Sequence, residues 1–178
     1  MTRIGIDATS LSKTGKGVST YQYNLVKHLA GRNDGTEYFI FLNEKNQLPE
    51  LPISSNLAYI KVAAFNTMIL EQYYMPRWLN KYNLDLLHTN TDRLPLLGNS
   101  RSVICVFEIP DYRIETIKHQ ASLYKRITDA WTSYIFPFSM QKASFIITSS
   151  KSTMNDLIEQ YGVDFNYVWN LIAQIKNR

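Results

Sequence analysis

Short apolar runs alternate along this chain with longer segments in which apolar residues recur at helical spacing. The apolar runs, each bounded by polar or glycine-containing loops, predict strands at residues 3–8, 37–42, 57–62, 85–88, 102–107 and 144–148. The helical spacing predicts helices at residues 18–30, 67–82, 114–142 and 150–161. Strands and helices that alternate in this order are typical of an α/β fold built on an open parallel sheet.

The predicted fold class is therefore a Rossmann-like open parallel sheet with helices on both faces. Gly31 and Gly162 predict the ends of the first and last helices, whereas Pro76 predicts a kink and Pro137 a break within the others. Residues 164–178 are rich in amides with scattered large apolar side chains, and for them we expect a loose terminal helix. We predict one domain over residues 1–164, followed by a terminal tail over residues 165–178.

Composition narrows the class of protein. The chain has 178 residues, of which 45% are hydrophobic, and this is enough for one sizeable core. Its one cysteine, Cys105, excludes a disulfide framework and a cysteine-rich zinc site, and we predict neither a metal nor a cofactor. No apolar run approaches the roughly 20 residues of a membrane span, and the first residues predict a strand rather than a leader. We therefore expect a cytoplasmic protein.

Ligands of open parallel sheets bind at the carboxyl ends of the strands. The first predicted strand runs into Gly15, Lys16 and Gly17 before a helix, and small residues at such a turn let backbone N–H groups approach a phosphate. The alternative is a tight turn without a ligand. The dinucleotide pattern G-x-G-x-x-G fails because Thr20 stands at its third glycine position, which counts against an independent nucleotide-binding protein.

Three further polar residues lie at strand ends, and each has two interpretations. Asp7 either binds a hydroxyl group or caps neighbouring backbone N–H groups. His88 is either a site residue or a structural histidine. Glu108, like Asp111 after it, is either a general base or a surface carboxylate.

Residues 112–142 concentrate basic charge among aromatic residues. They hold five Lys or Arg against two acidic residues, most of the net charge of +4. This pattern favours a membrane interface or a lipid-phosphate acceptor, with an ordinary amphipathic helix as the alternative. The modest charge and the lack of a recognised motif argue against nucleic acid.

Eight segments form an ordered set along the chain, namely residues 3–8, 15–21, 24–25, 28–30, 85–88, 123–126, 143–152 and 155–157. Together they resemble the N-terminal domain of family-four retaining glycosyltransferases. The similarity spans residues 3–164 and is closest to mannosyltransferase-like members of bacterial polysaccharide synthesis.

The resemblance implies one half of a GT-B fold, the half that binds the acceptor. It places Gly15, Lys16 and Gly17 beside the phosphates of a nucleotide sugar that the second, absent domain would bind. The residues that it assigns to a glycan or lipid-linked acceptor are Asp7, His88, Asn90, Asp92, Phe107 and Ser149.

One departure from the family concerns its usual His-Asp pair, whose positions here hold Phe107 and Glu108. A phenylalanine cannot hydrogen-bond a sugar or a phosphate, so either this subfamily does without that group or the chain is catalytically impaired. Glu108 is the candidate catalytic residue. We expect the isolated chain to lack transferase activity, to self-associate and to contact the inner face of the plasma membrane peripherally. The alternative is a non-catalytic module that binds a glycan or a partner protein.

Overall fold

The structure, a computed structural model, describes residues 1–63, 66–90, 92–97, 101–109 and 123–170. Within these ranges seven strands form one sheet in the order β3-β2-β1-β4-β5-β6-β7. Strand β1 pairs in parallel with β2 and β4, β2 with β3, β5 with β6, and β6 with β7. The strands are β1 (Thr2–Asp7), β2 (Thr36–Asn43), β3 (Leu57–Val62), β4 (Leu86–Thr89), β5 (Arg101–Val106), β6 (Phe145–Thr148) and β7 (Val168–Asn170).

Helical segments connect these strands. They are α1 (Val18–Leu29), α2 (Thr67–Ile69), a π-helical turn (Leu70–Tyr74), α3 (Met75–Lys81), α4 (Leu123–Lys142), α5 (Lys151–Tyr161) and a 3₁₀ turn (Phe165–Tyr167). Parallel strands joined through helices confirm the predicted α/β, Rossmann-like class. Each predicted strand is present within two residues of its expected bounds.

The chain divides into two compact units, and the N-terminal one comprises Met1–Asn90 with Pro95–Ser102. Its sheet is covered on both faces. Alternate residues of β2 point to opposite sides, so Ile40 packs in the cluster that contains Val26 of α1, whereas Phe41 stacks on Trp78 of α3 with ring centroids 4.1 Å apart. This arrangement confirms helices on both faces for this unit.

The C-terminal unit comprises Thr91–Leu94 with Val103–Arg178. Its core joins Ile104 of β5, Ile146 of β6 and Val168 of β7 to Phe136 of α4 and Leu157 of α5. Both of these helices therefore pack on the same face of their strands.

Prolines affect the two long helical stretches differently. Near Pro76 the predicted irregularity takes the form of the π-helical turn, which runs directly into α3, where Pro76 is the second residue. The break predicted near Pro137 is wrong, because α4 continues through it from Leu123 to Lys142. Phe136 and Met140 are buried on either side of this proline, and their packing offsets the lost hydrogen bond.

Helices α1 and α5 end just before Gly31 and Gly162, as predicted. Gly31 has a φ of 74° directly after the last residues of α1, and Gly162 caps α5 with a φ of 62°. The prediction of a terminal helix is wrong for residues 165–170, because these residues form a 3₁₀ turn and the edge strand β7. Pairing with β6 and burial of Val168 account for this strand. Residues 171–178 lie outside the described part, and the domain boundary at residue 164 stays a prediction.

Candidate functional site

The carboxyl ends of β1 and β4 in the N-terminal unit converge on the buried side chain of Asp7. The Thr9 N–H and hydroxyl groups donate to Oδ1 of Asp7 at 3.1 and 2.7 Å, and the Thr89 hydroxyl donates to Oδ2 at 3.2 Å. Burial raises the pKa of Asp7, and these hydrogen bonds oppose that shift. The contacts with Thr9 are those of the capping interpretation, and direct contact of Asp7 with a sugar stays a prediction.

Two carboxamides meet at the backbone of Asp7. The side-chain NH₂ groups of Gln22 and Asn90 both donate to the Asp7 carbonyl oxygen, at 3.1 and 3.3 Å. Both side chains are buried, and their own oxygens, Oε1 of Gln22 and Oδ1 of Asn90, accept no hydrogen bond from any described residue. A buried acceptor without a donor is costly, so a donor from a water molecule or from a ligand hydroxyl group would stabilise these two atoms.

Gln22 is absent from the residues expected of the site. Its signal in the sequence is a polar amide on the apolar side of a predicted helix, four residues after Val18 and four before Val26. That position faces β1, where the carboxamide reaches the Asp7 carbonyl.

His88 lies on β4 and is paired with Tyr21 of α1. Its Nε2 and the Tyr21 hydroxyl oxygen are 3.2 Å apart, and only 6% of the His88 surface is exposed. Burial lowers the pKa of His88 to about 4, so the imidazole is neutral at physiological pH. His88 therefore contributes a hydrogen-bonding ring rather than a cation.

The glycine turn before α1 is closely packed. A Cβ atom at Gly15 would lie 2.4 Å from Cβ of Ser19, and Gly17 has a φ of 57°. Ser19 Oγ accepts from the Ser12 N–H group at 3.0 Å and donates to the Ser12 carbonyl at 3.0 Å, which closes the loop.

The N-terminus of α1 has no side-chain cap and no acidic residue in its first turn, and Lys16 is exposed beside it. This leaves the positive end of the helix dipole without a fixed carboxylate. The turn is thus compatible with either earlier interpretation, a phosphate site or a turn without a ligand.

In the C-terminal unit the structure brings together the ends of β5 and β6. The Ser149 hydroxyl donates to the Phe107 carbonyl at 2.8 Å, and the Ser149 N–H group donates to the Val106 carbonyl at 3.3 Å. Phe107 is half-buried and Glu108 is exposed. Asp92 has a φ of 56° in the loop after β4, and Asp111 lies outside the described residues.

No helix within the described ranges is long and apolar enough to cross a lipid bilayer. The same residues hold no group of three or more His, Cys, Asp or Glu side chains that could bind a metal ion.

Sequence comparison agrees with this architecture. The profile of Glycosyltransferase Family 4 matches residues 15–170, from the glycine turn to the end of β7. No curated protein sequence matches the chain. The profile covers most of both units, and the chain therefore belongs to Glycosyltransferase Family 4.

Proposed function

We propose that this chain is the acceptor-binding domain of a retaining glycosyltransferase that uses a nucleotide sugar and builds cell-surface glycans. The observation that carries the proposal is the pair of carboxamides at the ends of β1 and β4. Asn90 and Gln22 are held by one backbone carbonyl, and each has a buried oxygen that accepts no hydrogen bond from the described residues. Sugar hydroxyl groups are donors of the kind that such oxygens need.

The membership in Glycosyltransferase Family 4 supports a nucleotide sugar as donor and a second molecule as acceptor. In the proposal, Gly15, Lys16 and Gly17 lie beside the donor phosphates, where the helix N-terminus and the Lys16 cation stabilise negative charge. The donor sugar is mannose, and the product belongs to a bacterial polysaccharide. A single Rossmann-like sheet is one half of a GT-B fold, so the base of the nucleotide is bound by a second domain.

The proposed reaction forms a bond between an acceptor oxygen and the anomeric carbon, while the bond from that carbon to the donor phosphate breaks. The nucleoside diphosphate leaves with the bonding electrons, and the acceptor hydroxyl loses its proton. Glu108 is the candidate base for this proton, because its exposed carboxylate follows β5. Asp7, His88, Asp92, Phe107 and Ser149 complete the proposed acceptor set, in which Phe107 contributes an apolar contact.

The acceptor in this proposal is a lipid-linked or growing glycan. It is met at the cytoplasmic face of the plasma membrane, where residues 112–142 contact the lipid surface. The absence of a helix that could cross a bilayer among the described residues is compatible with a peripheral contact of this kind.

The second candidate function is a non-catalytic module that binds a glycan or a partner protein. Phe107 favours it, because a phenyl ring in place of the family's usual histidine cannot support charge at the reacting centre. Only the first candidate function predicts turnover by the complete protein, whereas both are compatible with binding of sugars. Sugar binding at the site is therefore tested first.

The test is nuclear magnetic resonance of the 178-residue chain with a panel of methyl glycosides, including methyl α-mannoside, at millimolar concentration. We expect the side-chain NH₂ signals of Asn90 and Gln22 to shift with at least one glycoside, and Asn90→Ala to weaken that binding at least tenfold. Asn56→Ala is the matched control, because Oδ1 of Asn56 already accepts from the Ser54 hydroxyl at 2.6 Å. Unchanged signals across the panel, or an equal loss in both variants, would refute the acceptor site.

A further inference from the structure

Strand β7 lies at the edge of the sheet of the described residues, and one face beside this edge carries exposed aromatic side chains. Ile146 of β6 and Val168 of β7 point into the core, where α4 and α5 pack. The register pairs Ile147 with Trp169, one residue further along each strand, so these two side chains point to the opposite face. Helices α4 and α5 therefore leave this second face uncovered.

Three aromatic residues, Phe145, Tyr167 and Trp169, form a row on this face that we call the β7 row. Phe145 lies two residues before Ile147 on β6, and its ring centroid lies 6.2 Å from that of Tyr167, just before β7. The three side chains are about half exposed, at 47%, 51% and 54% of their surfaces. The row is thus a continuous apolar surface that reaches the edge of the sheet.

The charges near the row indicate which kind of partner it suits. Residues 152–170 include the acids Asp156, Glu159 and Asp164 but no Lys or Arg. Anionic lipid surfaces and nucleic acids attract basic segments, so this acidic segment disfavours both. Aromatic side chains with few cations around them favour contact with another protein surface.

A second copy of the chain fits this surface because β7 can pair with itself. An edge strand presents backbone N–H and C=O groups to a further strand. In an antiparallel pair with a two-fold axis at Val168, Tyr167 of each copy lies opposite Trp169 of the other. Both cross-strand pairs are then aromatic and lie on the exposed face. Asp164 is four residues from the axis, so its two copies would lie about 26 Å apart and repel little.

The available area fits a weak dimer. At 150–250 Å² for a large aromatic side chain, the half-exposed row offers on the order of 300 Å² per chain. Phe165, which is 61% exposed on the turn before β7, raises this to on the order of 400 Å². Stable complexes bury about 800 Å² per partner and weak ones less than about 600 Å². We therefore expect self-association that is reversible on dilution.

We propose that β7 is the dimerisation edge of this domain. Two copies join β7 to β7 in antiparallel orientation about an axis at Val168, which continues β5, β6 and β7 of one chain into those of the other. The β7 rows of both copies lie side by side on one face of the joined sheet. The contact involves no residue of the proposed acceptor site and requires no glycan, so it is independent of the proposed function.

The experiment is analytical ultracentrifugation of the 178-residue chain from about 10 μM to about 1 mM, where we expect a monomer–dimer equilibrium. Two double variants that remove the same aromatic area test the pairing. Tyr167→Lys with Trp169→Lys places like charges opposite each other in both cross-strand pairs, whereas Tyr167→Lys with Trp169→Glu places opposite charges there. The first should dimerise at least tenfold more weakly than the second. Ile53→Lys is the control, because Ile53 is wholly exposed elsewhere on the chain, and it should dimerise like the unchanged protein.

Three results would overturn the proposal. The first is a monomer at every concentration of the unchanged chain. The second is the same dissociation constant in the two double variants, including loss of the dimer in both, because the register at Val168 would then not decide association. The third is an equal weakening by Ile53→Lys, which would place the contact elsewhere. Circular dichroism checks that each variant is folded.

Discussion

Protonation of His88 should destabilise the folded protein as the pH falls. Burial lowers the folded-state pKa from 6.5 to about 4, so the unfolded chain binds the proton first and stability is lost between these two values. With these pKa values the loss is about 2 kcal/mol between pH 7 and pH 5, and it approaches about 3 kcal/mol below pH 4. Urea unfolding of the chain at pH 7, 6 and 5 measures it.

Carboxylates also take up protons at the acid end of this range and change the stability of every variant. The test is therefore the difference in pH dependence between variants. His88→Gln keeps a hydrogen-bonding group opposite Tyr21 and should remove about 2 kcal/mol of the loss between pH 7 and pH 5. His28→Gln is the control, because His28 is exposed on α1, and it should keep the pH dependence. A His88 ring proton signal that titrates near pH 6.5 would refute the reasoning.

Three further outcomes are expected. Gly15→Ala should lower the free energy of unfolding by about 1–3 kcal/mol, because the added Cβ would lie 2.4 Å from that of Ser19. Thermal unfolding measures this loss, and Gly35→Ala is the comparison, because a Cβ there meets no atom and adds only the strain of a positive φ. Ser150→Ala removes the side chain that accepts the Thr153 N–H bond at 3.0 Å and should cost about 1 kcal/mol in urea unfolding, whereas Ser150→Asp should retain most of that stability. The isolated chain should release no nucleotide from a panel of nucleotide sugars, and measurable turnover would contradict the need for a second domain.

The fold was predictable because its signals are local. Gly162 caps α5 in the left-handed conformation, Gly31 adopts the same conformation in the turn after α1, and Ser150 accepts a hydrogen bond from the third residue beyond it. Such signals act within a few residues and are therefore visible in one sequence. The apolar runs likewise identified the strands through their own composition.

Tertiary packing decided the two elements that were predicted incorrectly. Local propensity ends a helix at Pro137, but Phe136 and Met140 are held in the core on both sides of it. Local pattern also favours a helix after residue 164, but β6 offers Val168 a strand partner and a buried position. Neither contact partner is near in sequence, so the pattern carries no information about it.

The candidate site was likewise predictable only where its signals are local. Strand ends selected Asp7 and His88 from the sequence, because a parallel sheet gathers those ends at one edge, whereas Asn90 came from the family resemblance. The contacts that orient them join residues far apart, such as Tyr21 with His88, which are 67 positions apart. Gln22 was overlooked for that reason.

In the proposed acceptor site, the groups offered to a ligand are the neutral imidazole of His88 and two neutral carboxamides. His88 is uncharged, the Asp7 carboxylate is already engaged by Thr9 and Thr89, and the acceptors left without a described donor are the amide oxygens of Asn90 and Gln22. Such a set discriminates by the number and direction of hydroxyl groups, because a ligand that lacks one leaves a buried oxygen without a donor. The exposed Lys16 lies at the glycine turn, before α1. Recognition of a sugar by amides and recognition of a phosphate by the turn are thus separable, and Asn90→Ala should weaken glycoside binding without changing the response of the turn to inorganic phosphate.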